Sequence, residues 1–440
     1  LTFLAQFRTK GLIFLGVALV ALAALVALGG NALVNGPVRA RLERALAGPG
    51  SQVRIGRLTY APGANRLVAQ NVTLQTGPAS LTADRIALSG IRWFRLWRGD
   101  ALAESLARAH IEVTQIAATW PKARYRFRCG RLVASVPDAT LRAEEAELRP
   151  LVGDQALFRG VPYRTTRWRV TVPELTVAGL GYPELLTGSA CQVESVRVVR
   201  PALDLLVDRY QAVGPLVRSP LMLNEAVASI GRPFQVKRVE ITGGRLDYGE
   251  CRVAGEPPGR LTFTAMSLLA EGLANPGPGL LRLHAQGRLM AAGLLAVTLE
   301  VPLQPRGCTF RYHGSLGAMA LPRLDAFLDR AERTRLRSGA VDHVAFTVTV
   351  HQGKAEGRVQ AAYQDLKLAV LDRDTDTEKG LKNRMATFFA NTFKIRPDNP
   401  SRGSAPAKEG KVAYERKPED TFLQVLWFSL RSGVLDLIKR

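Results

Sequence analysis

Cysteine is scarce in this chain, with four in 440 residues. Cys129, Cys191, Cys251 and Cys308 stand about sixty residues apart. No two have the spacing of a zinc site or of a C-x-x-C redox pair. An oxidising compartment permits two disulfides among them, in three connectivities; equally, they suit buried free thiols in strands. Histidine is nearly as rare, and His110, His284, His313, His343 and His351 are scattered. His343 and His351 fall on the wet face of one expected strand, eight residues apart and too distant to share a metal. No H-E-x-x-H, G-x-S-x-G or phosphate-loop pattern occurs. Glu144-Glu145 and Asp372/Asp374 read as ordinary solvated charge. These absences point away from an enzyme and leave no cofactor or metal to assign.

Acidic residues are also few, 38 against 60 Lys and Arg, for a net charge of +22. In a soluble protein that balance suggests nucleic acid. In an exported, tethered protein it suggests attraction to anionic lipid headgroups, or simply a solvated basic surface. The second case follows from the one long apolar run. Gly11–Gly30 has no charged side chain over twenty residues and includes Leu12, Phe14, Leu19 and Leu25. As a helix it covers ~30 Å, a bilayer's hydrocarbon thickness. A cleaved signal peptide usually has a shorter apolar stretch, of roughly 7–15 residues. The run is therefore read as an uncleaved membrane anchor. Arg8 and Lys10 precede it while Arg39, Arg41 and Arg44 follow, so local charge barely sets orientation. A short leading tail and a large following region favour a cytoplasmic N-terminus with the bulk exported. No nucleic-acid partner is expected.

Beyond the anchor, Pro37–Ala47 reads as a short helix ending at Gly48. From about Gln52 the hydrophobic period becomes two. Tyr125, Phe127 and Cys129 alternate with Arg124, Arg126 and Arg128, and Trp168, Val170 and Val172 with Arg169 and Thr171. The same holds for Leu281–Leu289, for Val297–Leu303 and for Val344–Val350. Each reads as a strand with one dry and one wet face. Gly243-Gly244 looks like a tight hairpin turn between two short strands. A weak repeat of about 60 residues relates Leu81-x-Ala83…Leu88 to Leu141-x-Ala143…Leu148. Leu321–Arg335 is expected to be helical. Three regions follow: 1–35, tail and anchor; 36–370, an elongated β region; and 371–440, amphipathic helices with a polar linker at Asn391–Pro418. Leu381–Phe393 is one such helix. In the other, Phe422, Leu426, Leu430, Val434 and Ile438 recur every four residues, and Leu423 and Trp427 widen the stripe. That helix either closes the sheet or docks on a membrane or partner.

A sheet with one apolar face must cover it, with a second layer or with lipid. At ~0.8 kcal/mol per buried CH₂, a lipid tail of ordinary length gains ~10 kcal/mol in a dry trough. Tyr125, Phe127, Leu281, Leu283, Val297, Leu299, Val344, Phe346 and Val348 are the expected lining of such a groove. Alternation alone does not separate an open, lipid-filled groove from a closed core.

Several stretches carry a family resemblance. They are Val53–Leu58 and Leu67–Leu74 after the anchor and short helix, Val239–Tyr248, Gly287–Met290, Gly339–His343, Ala362–Leu368, and Leu426–Leu430 with Ser432-Gly433. Together they resemble the AsmA-like family of Gram-negative envelope proteins, relatives of the translocation-and-assembly-module and bridge-like lipid transfer proteins. The resemblance implies a mainly β fold: a transmembrane helix, then a curved, groove-forming antiparallel sheet (β-taco-like). It implies an anchor in the bacterial inner membrane with the bulk of the chain in the periplasm, phospholipid as ligand, transfer towards the outer membrane, and no catalytic residues. At ~12 residues per strand and turn, this length gives ~27 strands. That is short for an envelope bridge, so self-association or a periplasmic or outer-membrane partner is expected. The alternative is a non-enzymatic scaffold for envelope or outer-membrane protein assembly.

Overall fold

The computed structural model describes residues 39–46, 50–92, 95, 102–212, 214, 219–275, 279–304, 307–370, 395–400 and 406–439. The expected anchor at Gly11–Gly30 and the segment Leu381–Phe393 lie outside them. Among the described residues no helix is long and apolar enough to cross a membrane. Seventeen strands dominate. They are β1 (Ser51–Ala61), β2 (Arg66–Thr76), β3 (Ala79–Ser89), β4 (His110–Trp120), β5 (Tyr125–Ser135), β6 (Thr140–Pro150), β7 (Thr166–Ala178), β8 (Cys191–Val199) and β9 (Ala202–Asp208). The rest are β10 (Phe234–Cys251), β11 (Gly259–Asn275), β12 (Leu280–Leu289), β13 (Gly293–Pro302), β14 (Phe310–Ala320), β15 (Thr334–His351), β16 (Lys354–Val370) and β17 (Glu409–Glu415). Helices are short: α1 (Arg39–Leu46), α2 (Leu102–Ser105), α3 (Asp154–Arg159), α4 (Tyr182–Thr187) and α5 (Leu223–Ala228), with α6 (Phe422–Ile438) the longest at 17 residues. The count falls below ~27 strands because β10, β11, β15 and β16 run to 17 or 18 residues each.

The chain forms two compact units. The first holds residues up to Val152, Arg169–Pro201 and Arg232–Lys237; the second holds Gly153–Trp168, Ala202–Gly231 and Arg238 onwards.

In the first unit β1 to β8 form an antiparallel meander in chain order. Its strands β1 to β6 are each eleven residues long. Their apolar positions do not keep a strict period of two. Val53 and Ile55 are buried in β1, but so is Leu58, three residues further on. The same break occurs at Ala69/Val72, Ala83/Ile86, Val113/Ile116, Cys129/Leu132, Ala143/Ala146 and Val172/Leu175. It sits at one level across the ladder. Ile55 pairs with Val72 and Arg57 with Gln70, and the positions between them, Gly56 and Asn71, are unpaired. Asn71, Gln115 and Glu145 take left-handed φ of 52°, 52° and 56° there. Gly130 faces Glu145, whose carboxylate oxygen lies 2.5 Å from where a Cβ on Gly130 would sit. One extra residue per strand thus returns the second apolar pair to the same face, which the plain pleat would turn outward.

This accounts for the weak repeat. Leu81-x-Ala83…Leu88 and Leu141-x-Ala143…Leu148 are β3 and β6, three antiparallel pairings apart, so they run in opposite directions. What the two stretches share is the broken-phase strand.

In the second unit β9 and β10 pair in parallel, Ala202 opposite Arg245 and Asp208 opposite Cys251. The intervening chain, carrying α5, therefore crosses over. From β11 to β17 the meander is antiparallel. Gly243-Gly244 is not a hairpin turn: β10 continues through it for 18 residues, with Gly243 at φ 66° as a local kink. The stretch Asn391–Pro418 is not wholly a linker, because Glu409–Glu415 forms β17 on β16. The alternation of Gly410, Val412 and Tyr414 with charged or small neighbours supports that pairing. Of the expected helix Leu321–Arg335, Leu321–Glu332 is helical and changes type twice, from 3-10 through one α turn to a π turn, but Arg333 is left-handed and Thr334 and Arg335 already open β15.

Candidate functional site

Cross-strand partners share a face, so the registers trace apolar rows perpendicular to the strands. In the second unit one row runs Leu268, Ala285, Val297, Gly314, Phe346, Val359, Gly410. A second runs Ala270, Leu283, Leu299, Tyr312, Val348, Gly357, Val412. In the first unit a row passes from Ala118 through Phe127 and Leu148 to Val170, and another from Val113 through Leu132 and Ala143 to Leu175. The opposite face is charged. Glu271, Arg282, Glu300 and Arg311 alternate across four strands, with Arg311 2.5 Å from Glu300.

Cover over these rows is uneven. On β14 to β17, α6 lies against the apolar face. Gly433 approaches so closely that a Cβ there would sit 2.7 Å from methyls of Val359 and Val412, and a Cβ on Gly410 would meet the Gly433 carbonyl. The Tyr312 hydroxyl donates to the Leu426 carbonyl at 2.9 Å and bonds the fully buried Ser429 hydroxyl at 2.8 Å. Burial pushes the Tyr312 phenol up to about 12. The rings of Phe310 and Phe422 meet edge-on at 5.0 Å. The inward side of α6 is Val425, Ser429, Gly433 and Leu437. That is one position away from the expected Phe422–Ile438 stripe. Leu430, Val434 and Ile438 are half-buried flanks, and Trp427 (47 %) and Leu423 (66 %) are exposed.

The sequence-derived lining residues therefore divide. Val348, Leu281, Phe346 and Leu299 are buried by the protein itself. The Phe346 ring lies over the backbone of Gly314 and beside Tyr312, with centroids 6.0 Å apart. Leu283, Val297 and Val344 are half-buried, as are Leu268 and Ala285 beside them. Tyr125 and Phe127 belong to the first unit and are half-buried there with Leu148, Val170 and Leu175. At β1 to β4 the same face is sealed by Ile91, Leu106 and Ala109. An apolar lane of half-buried positions remains in each unit: Phe127, Leu148 and Val170 on β5 to β7 in the first, and Leu268, Leu283, Ala285 and Val297 on β11 to β13 in the second, where α5 also packs against β11 and β13.

Two polar features were not legible in the sequence. Arg167 is fully buried, 2.8 Å from Asp204 and 3.3 Å from Asp154, and Arg260 reaches Asp204 at 3.3 Å. Burial would raise the Asp204 carboxyl, but the Arg167 hydrogen bond and both guanidinium charges hold it below its ordinary value. Charges of opposite sign balance, as in a structural cluster beside the parallel strands. His284, Thr298 and His313 form one row on the polar face, with His284 3.1 Å from the Thr298 hydroxyl. Among the described residues no group of His, Cys, Asp and Glu is arranged to hold a metal. The four cysteines are all free, and burial raises each thiol above its ordinary value.

No family model matches this chain, and no curated protein matches it.

Proposed function

We propose that this is a non-catalytic lipid-binding protein of a bacterial envelope, tethered to the inner membrane by Gly11–Gly30. In this reading phospholipid acyl chains lie on the apolar lanes on their way towards the outer membrane, as the AsmA-like resemblance implies. The observation that carries it is the row Leu268–Ala285–Val297, cross-strand partners that stay half-buried with Leu283 beside Ala285 on β12, whereas Phe346 and Val359 further along the same row are buried. Each methylene laid there gains ~0.8 kcal/mol, enough for an acyl chain to outcompete water. The exposed Leu423 and Trp427 of α6 suit contact with a bilayer or a partner protein.

Mass spectrometry of lipid extracted from the purified full chain tests the reading, with Leu283→Glu and Val297→Glu as variants. Both positions are already half-exposed, so the variants should keep the β circular dichroism while losing bound phospholipid. Phe346→Glu should unfold the second unit instead, since that ring has no solvent to turn to. A folded Leu283→Glu variant with undiminished lipid would end the proposal. The sealed packing of Val348, Val359 and Val412 favours a second reading, a dry scaffold for envelope assembly. A wild-type chain carrying no lipid would select it.

A further inference from the structure

The polar face of the second unit carries a depression that the apolar rows do not use. Three consecutive rows cross β11 to β14: Leu269–His284–Thr298–His313, Leu268–Ala285–Val297–Gly314 and Ser267–Gln286–Ala296–Ser315. The first and third point to the polar face. The middle row turns its side chains away and leaves its backbone as the floor between them. Ser267, Ala296 and Ser315 are small, so the first row stands as a wall beside them. With Arg238, Glu240 and Thr242 of β10, these residues line an open trough of about 700 Å³.

The wall row continues through Thr347 and Arg358 to Lys411, and none of its seven positions is acidic. The acids near it are engaged elsewhere. Glu240 lies 2.5 Å from Arg238, which also reaches Glu271 at 3.3 Å. Glu300 lies 2.5 Å from Arg311 and 3.8 Å from Arg282. The Arg311 hydrogen bond, then the charges of Arg311, Arg282 and His313, hold the Glu300 carboxyl below its ordinary value. At the far end of the row Glu356 is two residues from Arg358, and Asp436 accepts the Lys411 N–H. That leaves the exposed His284 and His313, with Thr298 between them, as the bases that face the trough.

We propose that His284, Thr298 and His313 form a proton-gated seat for an oxyanion, a phosphate-type group, on this face. The two imidazoles stand one strand to either side of Thr298, ~4.8 Å each way. His284 Nδ1 is 3.1 Å from the Thr298 hydroxyl. In a neutral ring Nδ1 can accept the hydroxyl's hydrogen; a doubly protonated ring donates to its oxygen instead. The hydroxyl hydrogen then turns into the trough, beside the N–H groups of two imidazoliums. Charge-assisted donors of this kind suit an oxyanion, and an anion between them offsets the repulsion of two like charges. Histidine is the side chain that makes this change between pH 5 and 8. The seat lies on the face opposite the apolar lanes and does not depend on the lipid reading.

The test is isothermal titration of sulfate, whose charge is constant between pH 5.5 and 7.5, into the full chain. The chain is held in an uncharged polyoxyethylene detergent at low salt, where surface charge is least screened. Sulfate should bind at least about fivefold more tightly at pH 5.5 than at pH 7.5. The double variant His284→Gln with His313→Gln should lose that difference and bind at pH 5.5 as weakly as wild type does at pH 7.5. Thr298→Val, which keeps a β-branched residue in the strand, should weaken binding at both pH values. His110→Gln, on β4, should change nothing. At pH 5.5, a preference for glycerol 3-phosphate over inorganic phosphate would assign the seat to a lipid headgroup, and the reverse to the free ion; either supports it. Equal sulfate affinity at the two pH values would overturn the proposal. So would a double variant that binds as wild type does, or a trough that takes methyl glucoside and no sulfate. Phospholipid bound to the apolar lanes, measured separately by mass spectrometry, should be the same in all variants, so failure of this seat leaves the lipid-binding reading standing.

Discussion

The side of β1 turned away from β2 and the side of β17 turned away from β16 present the same hazard, and each is met by a helix of different depth. Bare N–H and C=O groups along a strand template the addition of another strand. At β1 the short α1 supplies the block. The Glu43 carboxylate accepts the Ile55 N–H at 2.7 Å, and Arg39 donates to the Gly56 carbonyl at 3.1 Å. The two side chains are partly exposed, 38 % and 26 %, and 3.8 Å apart. At β17 the longer α6 does the same with Asp436 and Ser432, which accept from the Lys411 and Ala413 N–H groups at 2.8 and 3.1 Å. Lys408 then caps the helix by donating to the carbonyls of Asp436 and Lys439. Beneath those bonds α6 buries Val425, Ser429 and Leu437. The difference teaches that polar contacts suffice to satisfy a strand, whereas apolar burial fixes the helix that provides them. An eight-residue helix is marginal by itself, so α1 depends on β1 as much as β1 depends on it.

The comparison breaks most readily at Gly433. Gly433→Val places methyls inside the contact with Val359 and Val412, and overpacking of this kind costs about 3 kcal/mol. The urea midpoint of the full chain should fall accordingly. Size-exclusion chromatography should show oligomers, because a displaced α6 uncovers β17. An unchanged midpoint would mean that α6 does not hold the second unit together. Tyr312→Phe is smaller, about 1–2 kcal/mol, since it removes the hydroxyl that bonds the Leu426 carbonyl and Ser429 in a dry site. It also carries a pH signature. Burial lifts the folded Tyr312 to about 12, above its ordinary value of 10.0. The folded state thus keeps its proton where the unfolded chain has lost it. Stability from this group is complete below pH ~10 and declines as pH rises towards ~12. Buried Tyr182 and Tyr363, also raised to about 12, share that window, so the Tyr312 portion is the difference between wild type and Tyr312→Phe. A wild-type and variant pair with parallel alkaline profiles would refute it.

How far the sequence carries depends on period. Val297–Leu303 and Val344–Val350 hold a strict alternation, and they are strands with the expected faces. In β1 to β7 the alternation fails at mid-strand, and the one extra residue there, in pairs such as Gly56-Arg57 or Glu144-Glu145, looks like noise or solvated charge. It marks the phase change, and the signal was available as apolar pairs spaced h-x-h-x-x-h-x-h in every strand. Gly243-Gly244 misled for the same reason: a glycine pair serves a kink within a strand as well as a turn. The Phe422–Ile438 stripe misled because α6 is apolar nearly all round, and periodicity cannot choose a face on such a helix. Small residues decided it, since only Ser429 and Gly433 allow the close approach to β16 and β17. The lining of the lanes was legible as chemistry, but its division into sealed and open parts was not. Cover comes from elements distant in sequence, such as α6 over Val359 and Val412.

The smallest effect sharpens the comparison best. Glu43→Ala removes the acceptor of the Ile55 N–H, worth ~0.5–1 kcal/mol at a partly exposed site, and barely moves a global midpoint. Hydrogen exchange resolved at that amide reads it directly. The Ile55 N–H should exchange about fivefold faster while the ladder amides of β1 keep their protection. Glu43→Gln retains a carbonyl oxygen at the same reach and should restore most of the protection. Ser432→Ala removes the equivalent acceptor for Ala413, yet the buried side of α6 stays in place over β17. Its amide should therefore lose less protection than Ile55 does. If Ala413 instead exchanges as fast as Ile55, burial adds nothing to the polar block, and the two helices differ in length alone.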